Sequence, residues 1–583
     1  MQNELNKYLE TVNNHAKKRQ FAEALGVLEK AMALAPFHPD LWFQKANLLQ
    51  ELKRLPEAVA CYQGVIRLNP ANPFNFHNLA LALEKLGRFD EALLHYDNAL
   101  SLKADYAEAY ANKANSLQKK GEYAQALQCY DTAITLGNNN ELFYRKKGEL
   151  LHHLNQVDAA LLCYDKALTF PSVWKFAVYN NKAVILENKG RLEEALLCCD
   201  AAIALKPGLA EAYNNKGNNL RKLGRFEDAW NHYQHGLTLK PAYPEIYNNM
   251  GYLLQEQGKY SEAITHFKKA IRLAPAYAEA HFNLSLNLLK QGDYAKGWQA
   301  YEWRWKRVGM KIRSFPAPLW LGKEAITGKT ILLHAEQGLG DTLQFCRYAP
   351  LLADKGVNII LEVHPPLVRL LQSLDERIKV FGKGEALPAF DFHIPLMSLP
   401  LALGTTLDTI PATVAYLKPD AANLATWQLR LGAKTKKRIG LVWSGAAVHS
   451  NDHNRSLALN SLAPLLSGDF EFHALQKEIR EKDEAFLRTT SIISHSEDLQ
   501  DFLDTASLVQ EMDIIISVDT SVAHLAGALG KTVYLMLPFN PDFRWLLERS
   551  DSPWYPSLKL FRQPAIGDWE GVVNHIGLHC LAK

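Results

Sequence analysis

The run Met512–Val518 (MDIIISV) is strand-like and stops at Asp519-Thr520-Ser521, where a helix of small residues begins and carries His524 near its start. A buried strand feeding such a helix makes an anion site. The free N–H groups of the first turn point outward, and the helix end carries roughly half a positive charge. Thr520, Ser521 and His524 add side-chain donors at that point. A diphosphate is the guest this suits, and because half a charge cannot neutralise it, cationic side chains must come from elsewhere in the chain. The plainer reading makes Asp519 the helix cap, with Ala526 and Gly527 present for close helix–sheet packing. Lys531–Pro538 (KTVYLMLP) reads as a further strand. The unit is therefore βαβ-like, and the helix starts at a strand's carboxyl end, where open α/β sheets bind ligands.

The elements that position this stretch belong to a chain of 583 residues, long enough for several domains, with 48% hydrophobic residues to fill their cores. A net charge of +3 from 65 basic and 62 acidic residues gives no nucleic-acid signature. The seven cysteines (Cys61, Cys129, Cys163, Cys198, Cys199, Cys346 and Cys580) contain no Cys-x-x-Cys pair and read as reduced thiols. The start, MQNELNKYLETVNNHAKK, has no apolar core of a signal peptide, and no run of eighteen apolar residues occurs. A soluble, cytoplasmic protein without a membrane span is expected. Self-association is left open.

The first half repeats with a period of 34 residues. Small residues recur at Ala46, Ala80, Ala114, Gly148, Ala183, Gly217, Gly251 and Ser285, and twelve residues later at Ala58, Ala92, Ala126, Ala160, Ala195, Ala229, Ala263 and Gly297. Val12 and Ala24 fit an earlier copy, making nine, and the step into Ala183 is one residue longer, around Pro171. Small residues at fixed spacing on two adjacent helices let the pair pack closely. The pattern resembles the tetratricopeptide repeat across residues 1–305, which implies a superhelix with a long concave groove. Two residues before the small position stand Asn78, Asn112, Asn181, Asn215, Asn249 and Asn283. An amide offers both a donor and an acceptor to an extended peptide backbone. The series resembles the asparagine ladder in the repeat domain of O-linked N-acetylglucosamine transferase. It implies a protein or peptide partner; the competing reading is that each amide bonds a neighbouring repeat.

After the aromatic stretch Tyr301–Arg307 (YEWRWKR), periodicity lapses through Phe315–Trp320, and Trp303, Trp305 and Trp320 are expected to seal the joint. Strands then alternate with helices. The reading divides the chain into a solenoid (1–305), a linker (306–327) and two Rossmann-like lobes (328–433 and 434–583). Lys329–Glu336 is a buried strand, Gln337–Thr342 a tight turn with Gly338 and Gly340, and Leu343–Ala353 a helix. The second lobe restarts at Arg438–Trp443, and Trp569–Leu581 is expected to cross back as a terminal helix.

The segments QGLGDTLQFCRYAPLL, LVWSGAAVHSNDHNRSLAL, HALQK and DTSVAHLAGALGKTVYLMLP, in that order, resemble glycosyltransferase family 9, the heptosyltransferase group with the GT-B fold. The resemblance covers about residues 325–575. It implies donor binding in the second lobe, acceptor binding in the first, and transfer across the cleft. Asp341 matches the family's base, and a carboxylate there can take the acceptor's proton. It also reads as the N-cap of a capping box with Gln344. Glu336 is the reserve base, and His334 is a core histidine. Arg455 matches the family's basic residue for the diphosphate and supplies the charge the helix lacks. Ser444, Gln476 and Lys477 stand at strand ends near it, with Lys477 the weaker cation candidate, and Arg544 is placed to reach donor or acceptor.

No Asp-x-Asp triplet and no His/Cys/carboxylate cluster with metal spacing occurs, so no metal or other cofactor is expected. Leaving-group charge then falls to helix dipole and cations. The leading expectation is a metal-independent glycosyltransferase using a nucleotide-diphosphate sugar. The rival is a non-catalytic adaptor whose second half only binds sugar nucleotides. A nicotinamide-dependent oxidoreductase is disfavoured by the lack of Gly-x-Gly-x-x-Gly after either lobe's first strand.

Overall fold

The computed structural model describes residues 2–137, 140–310, 312–336, 338–447 and 451–578. Gln337, His449, Cys580 and Leu581, named above, lie outside these residues. The chain divides into two compact units, Met1–Pro241 and Ala242–Lys583.

Among the described residues, the first unit is a run of helical hairpins, from Gln2–Lys17 with Phe21–Leu34 to Ala210–Lys222 with Phe226–Leu239. The repeat residues explain the pairing. Ala46, Ala80, Ala114 and Ala183 are fully buried, as are Ala58, Ala92, Ala126, Ala160 and Ala195. Sixteen residues after the small position comes a buried ring, Tyr62, Tyr96, Tyr130, Tyr164 or Tyr233, which lies against it. A Cβ added at Gly148 or Gly217 would stand 2.7 or 2.5 Å from the ring of Tyr164 or Tyr233. Three of the tyrosine hydroxyls donate to the residue after the small position, Tyr62 to Asn47, Tyr130 to Asn115 and Tyr233 to Asn218, while Tyr96 donates to Glu84 at 3.0 Å. Cys199 takes the ring's place in one repeat and is equally buried.

The second unit opens with two more hairpins, Pro244–Glu256 with Tyr260–Leu273 and Ala278–Lys290 with Tyr294–Tyr301, closed by a 3₁₀ turn, Glu302–Lys306. An α/β region follows. Strands β1 (Thr330–His334), β2 (Asn358–Val363), β3 (Ile378–Gly382) and β4 (Phe392–Pro395) form a parallel sheet in the order β3-β2-β1-β4. Strands β5 (Lys437–Val442), β6 (Phe470–Ala474), β7 (Ile493–Ser494), β8 (Ile514–Val518), β9 (Thr532–Leu537) and β10 (Leu558–Arg562) form a second, in the order β10-β9-β8-β5-β6-β7, again parallel throughout. The strand order reverses between β1 and β4 in the first sheet and between β5 and β8 in the second. Crevices outside the carboxyl ends at such points are where sheets of this kind take ligands.

One apolar core joins these parts. It runs from Leu289, Tyr294 and Trp298 of the last hairpin through Ile331, Leu333 and Leu361 to Ile515, Leu535 and Trp554. The compact division therefore falls at residue 241, not near 305, because the last hairpins pack into the α/β core. The seal is made by Trp298, Tyr301 and the buried Arg304; of the three tryptophans expected there only Trp320 is buried, while Trp303 stacks on His281 at 3.7 Å. The terminal helix, Trp569–Ile576, does not cross back. Its Val572, Val573 and Ile576 pack with Ile439, Leu441 and Met536 on the second sheet's own face. The helix Ala421–Leu431 instead reaches the second lobe, where Asn423 donates to Asp504 at 3.1 Å. The expected helix Leu343–Ala353 is two short helices, Leu339–Phe345 and Tyr348–Ala353.

Candidate functional site

The C-terminal end of β8 delivers Asp519 and Thr520 to the helix Ser521–Ala528. Thr520, not Asp519, is the N-cap, and its hydroxyl makes no capping bond. Ser521 is half-exposed and Thr520 is buried. His524 is also buried, stacked on Trp545 at 5.3 Å, with Nδ1 bonded to the Tyr555 hydroxyl at 3.0 Å. Burial drives its pKa down to about 3, so the ring is neutral and adds no charge for a phosphate. Burial and the neighbouring charge of Asp542 push the Asp519 carboxyl above the ordinary carboxylate range.

Arg455 is the cation beside this helix start, and its Nε lies 3.9 Å from Asp452 Oδ1. Its Nη1 donates to the Asp519 carbonyl at 3.1 Å, and its guanidinium lies against Gly445, where an added Cβ would stand 2.6 Å from Nη2. Its Nε is buried and has no hydrogen-bond partner among the described residues, which is unusual for a charged donor. Arg480, not singled out by the sequence, stands beside it and donates to Gly445 O at 2.9 Å and Asp452 Oδ2 at 2.5 Å. Its only local signal is its place just after the β6 strand end. Gln476 is a strut: its Oε1 accepts from the N–H groups of Trp443 and Ser444 at 2.8 and 3.0 Å, and its Nε2 donates to Ser444 Oγ at 3.1 Å. Those bonds fix the exit of β5 and use the side chain's donors and acceptor. Lys477 is exposed and donates to Gln500 O at 3.1 Å.

Facing this helix is the turn after β1. The helix Leu339–Phe345 has Gly338 as its N-cap, with no side-chain capping bond. Asp341 is its third residue, so the capping box with Gln344 does not form. A Cβ at Gly338 would collide with the Asp341 carboxylate, and one at Gly340 would stand 2.9 Å from His524 Cδ2. Gly340 lets the two helix starts approach, while Gly338 leaves room for the Asp341 carboxylate. Asp341, 27% exposed, pairs with the buried Arg544, whose Nη1 reaches Asp542 at 2.7 Å and whose Nε reaches Gln344 Oε1 at 2.6 Å. Arg544 is thus the cation that sets the candidate base.

The switch point of the first sheet is filled from within the chain. Arg304 donates twice to Glu336, at 2.9 and 2.8 Å, and once to Ser398 at 2.8 Å. Both Glu336 oxygens are engaged, and burial pushes its pKa up against the pull of Arg304. Glu336 is a strut for the joint, which removes it as a reserve base. His334 is the core histidine expected, with Nε2 on His393 at 3.2 Å.

The asparagine series is half-buried except Asn283, which is buried. Within the first unit Asn78 bonds its own helix at Phe74 O, whereas Asn112 meets His77 at 2.9 Å, Asn181 meets Glu149 at 3.4 Å and Asn215 meets Asn180 at 2.9 Å. In the second unit Asn283 donates to Asn248 at 3.0 Å, and Asn249 accepts from Asn248 at 3.4 Å. Asn112, Asn181, Asn215 and Asn283 therefore each have a side-chain link to the preceding repeat. Among the described residues no group of three or more His, Cys, Asp or Glu could hold a metal ion. No helix there is long and apolar enough to cross a membrane.

Family models described as TPR repeat or tetratricopeptide repeat match residues 15–83, 85–121, 107–140, 176–208, 217–258 and 252–292. The chain is 25% identical over 310 residues to Protein FlbA of Caulobacter vibrioides, covering 48% of this chain and 51% of that protein. It thus spans about half the length of the curated relative it matches. A tetratricopeptide repeat protein from Parabacteroides merdae is similar at 22% identity, over 43% of this chain and 98% of the other, with a TM-score of 0.36. YrrB, a TPR protein with an unusual peptide-binding site, is 20% identical over 38% of this chain and 95% of its own, with a TM-score of 0.24. The N-terminal region of the chain is made of tetratricopeptide repeats, and an α/β region with two parallel sheets follows them.

Proposed function

We propose that the chain is a metal-independent glycosyltransferase that moves a sugar from a nucleotide-diphosphate donor to a protein or peptide gathered by the repeats. The observation that carries this reading is the Arg455 guanidinium beside the first turn of the helix Ser521–Ala528, at the switch point of the second sheet, its buried Nε 3.9 Å from Asp452 and without a hydrogen bond among the described residues. A diphosphate placed there meets outward N–H groups, a helix dipole and one guanidinium donor. Asp341 takes the proton from the acceptor's nucleophilic atom as that atom bonds the anomeric carbon. The bond from that carbon to the diphosphate oxygen breaks, and the nucleoside diphosphate leaves. Arg544 must yield part of its hold on Asp341 for that step, so that a carboxylate oxygen is free to accept the proton.

The Asp341–Arg544 pair also favours a second reading, an adaptor that binds sugar nucleotides without turnover. Titration calorimetry with a panel of nucleotide sugars, followed by intact-mass spectrometry of proteins incubated with the chain and a nucleotide-sugar extract, separates the two. Transfer is expected to be lost in Asp341→Asn with donor binding kept. Binding without any mass shift supports the adaptor, and no binding by any nucleotide sugar rejects both.

A further inference from the structure

The segment Phe539–Trp545, which follows β9, touches the last two repeats on one side and the candidate site on the other. Towards the repeats, Phe539 lies 3.4 Å from where a Cβ on Gly258 would stand, and Phe543 meets the Trp298 ring edge-on at 5.6 Å. Between them, Asn540 Oδ1 accepts from Lys290 Nζ at 2.5 Å and from the Tyr260 hydroxyl at 3.2 Å. Towards the site, Arg544 holds Asp341 and Gln344, and Trp545 stacks on His524.

Lys290 is the residue that stands out. It is 5% exposed and ends the helix Ala278–Lys290, with its ammonium 5.3 Å from the centre of the Tyr260 ring. A buried ammonium is costly to hold, and an apolar residue would fill the space without that cost. What the charge adds is a directed bond to Asn540, four residues before Arg544. We propose that Lys290 is a positioning residue for the candidate site: by holding Asn540 it sets the segment Phe539–Trp545, and through Arg544 it fixes where Asp341 and Gln344 stand. The last repeat is then mechanically part of the site. A displacement of the helix Ala278–Lys290, which also carries Asn283, is felt at Asp341. What Asp341 does there rests on the transferase reading; the link itself does not.

Hydrogen exchange read by mass spectrometry on the full chain tests it. Lys290→Met keeps the volume and removes the donor, while Lys290→Gln keeps a donor for Asn540. In Lys290→Met, exchange in peptides covering 539–545 and 339–345 is expected to rise about tenfold, the scale of one lost charge-assisted bond. Peptides covering β5 and β6 should not change, and Lys290→Gln should restore most of the protection. Asn540→Ala, which leaves the repeat core untouched, should reproduce the methionine variant and decides the matter should that variant not fold. Faster exchange confined to 278–290, or equal effects from Met and Gln, overturns the proposal. Where the wild type transfers sugar, Lys290→Met should lower kcat about tenfold with the donor KM unchanged. Absence of transfer in the wild type counts against the transferase reading and leaves the exchange result standing.

Discussion

Replacing Arg544 by methionine is the sharpest test of how Asp341 is held. The guanidinium is 9% exposed and serves Asp341, Asp542 and Gln344 together. Removing one partner of a buried ion pair costs about 3–5 kcal/mol. Here the carboxylates of Asp341 and Asp542 keep 27% and 36% of their surface in water. The cost therefore falls near the low end, about 3 kcal/mol. Asp341→Asn alone leaves an oxygen that still accepts from Nη2 and should cost about 1 kcal/mol. Without Arg544 the same change relieves an unpaired charge and should cost nothing or stabilise, giving a coupling of about 1–2 kcal/mol. Nine of the twelve tryptophans lie in Ala242–Lys583, so tryptophan fluorescence during urea unfolding reports the right unit. Two effects that add to within about 0.5 kcal/mol would refute the coupling, because independent sites behave that way.

Three further changes follow from the same geometry. Burial pulls the Lys290 pKa down from 10.5 to about 8 against the opposing charge of Asp542. Below that value both folded and unfolded chains carry the proton and the folded state bears the strain; between about 8 and 10.5 only the unfolded chain keeps it. Wild type should therefore gain about 2 kcal/mol of stability on Lys290→Met between pH 7.5 and 10, measured by urea midpoints, and a flat difference would contradict it. Gly340→Ala places a methyl 2.9 Å from His524, a ring held by Tyr555 and Trp545. Overpacking outweighs the gain in helix propensity, for a net loss of about 1–2 kcal/mol, and a neutral variant means the two helix starts are not in contact. Arg455→Met should weaken nucleotide-diphosphate binding roughly tenfold to a hundredfold in calorimetry, less at high salt, and an unchanged Kd removes Arg455 from the donor site.

The repeats are legible because their signal is local and reiterated: few folds besides stacked helical hairpins demand a small residue every 34 positions. The parallel sheets are legible as buried apolar runs ending in turns, such as Thr330–His334 and Ile514–Val518. Strands β4 and β10 escape such a reading because Phe392–Pro395 is four residues bounded by proline and Leu558–Arg562 carries two cations. The charged struts are out of reach for a different reason. Lys290, Arg304 and Arg480 look like solvated surface charges in any local window. Their partners lie at Asn540, Glu336 and Asp452, and only the folded chain brings them together. Asp341 stands out in the sequence, but its cap role does not form because Gly338 starts the helix and Arg544 claims Gln344.

The core shared by the last hairpin and both sheets has a practical outcome for anyone trimming the gene product. A polypeptide started at residue 306 would strip away Trp298, Tyr301 and Arg304, leaving Trp554 and Phe345 wetted and Glu336 a lone buried anion. Such a fragment should clump on expression. One started at residue 242 keeps every one of those neighbours, so the workable cut lies inside the run of repeats and not at its end.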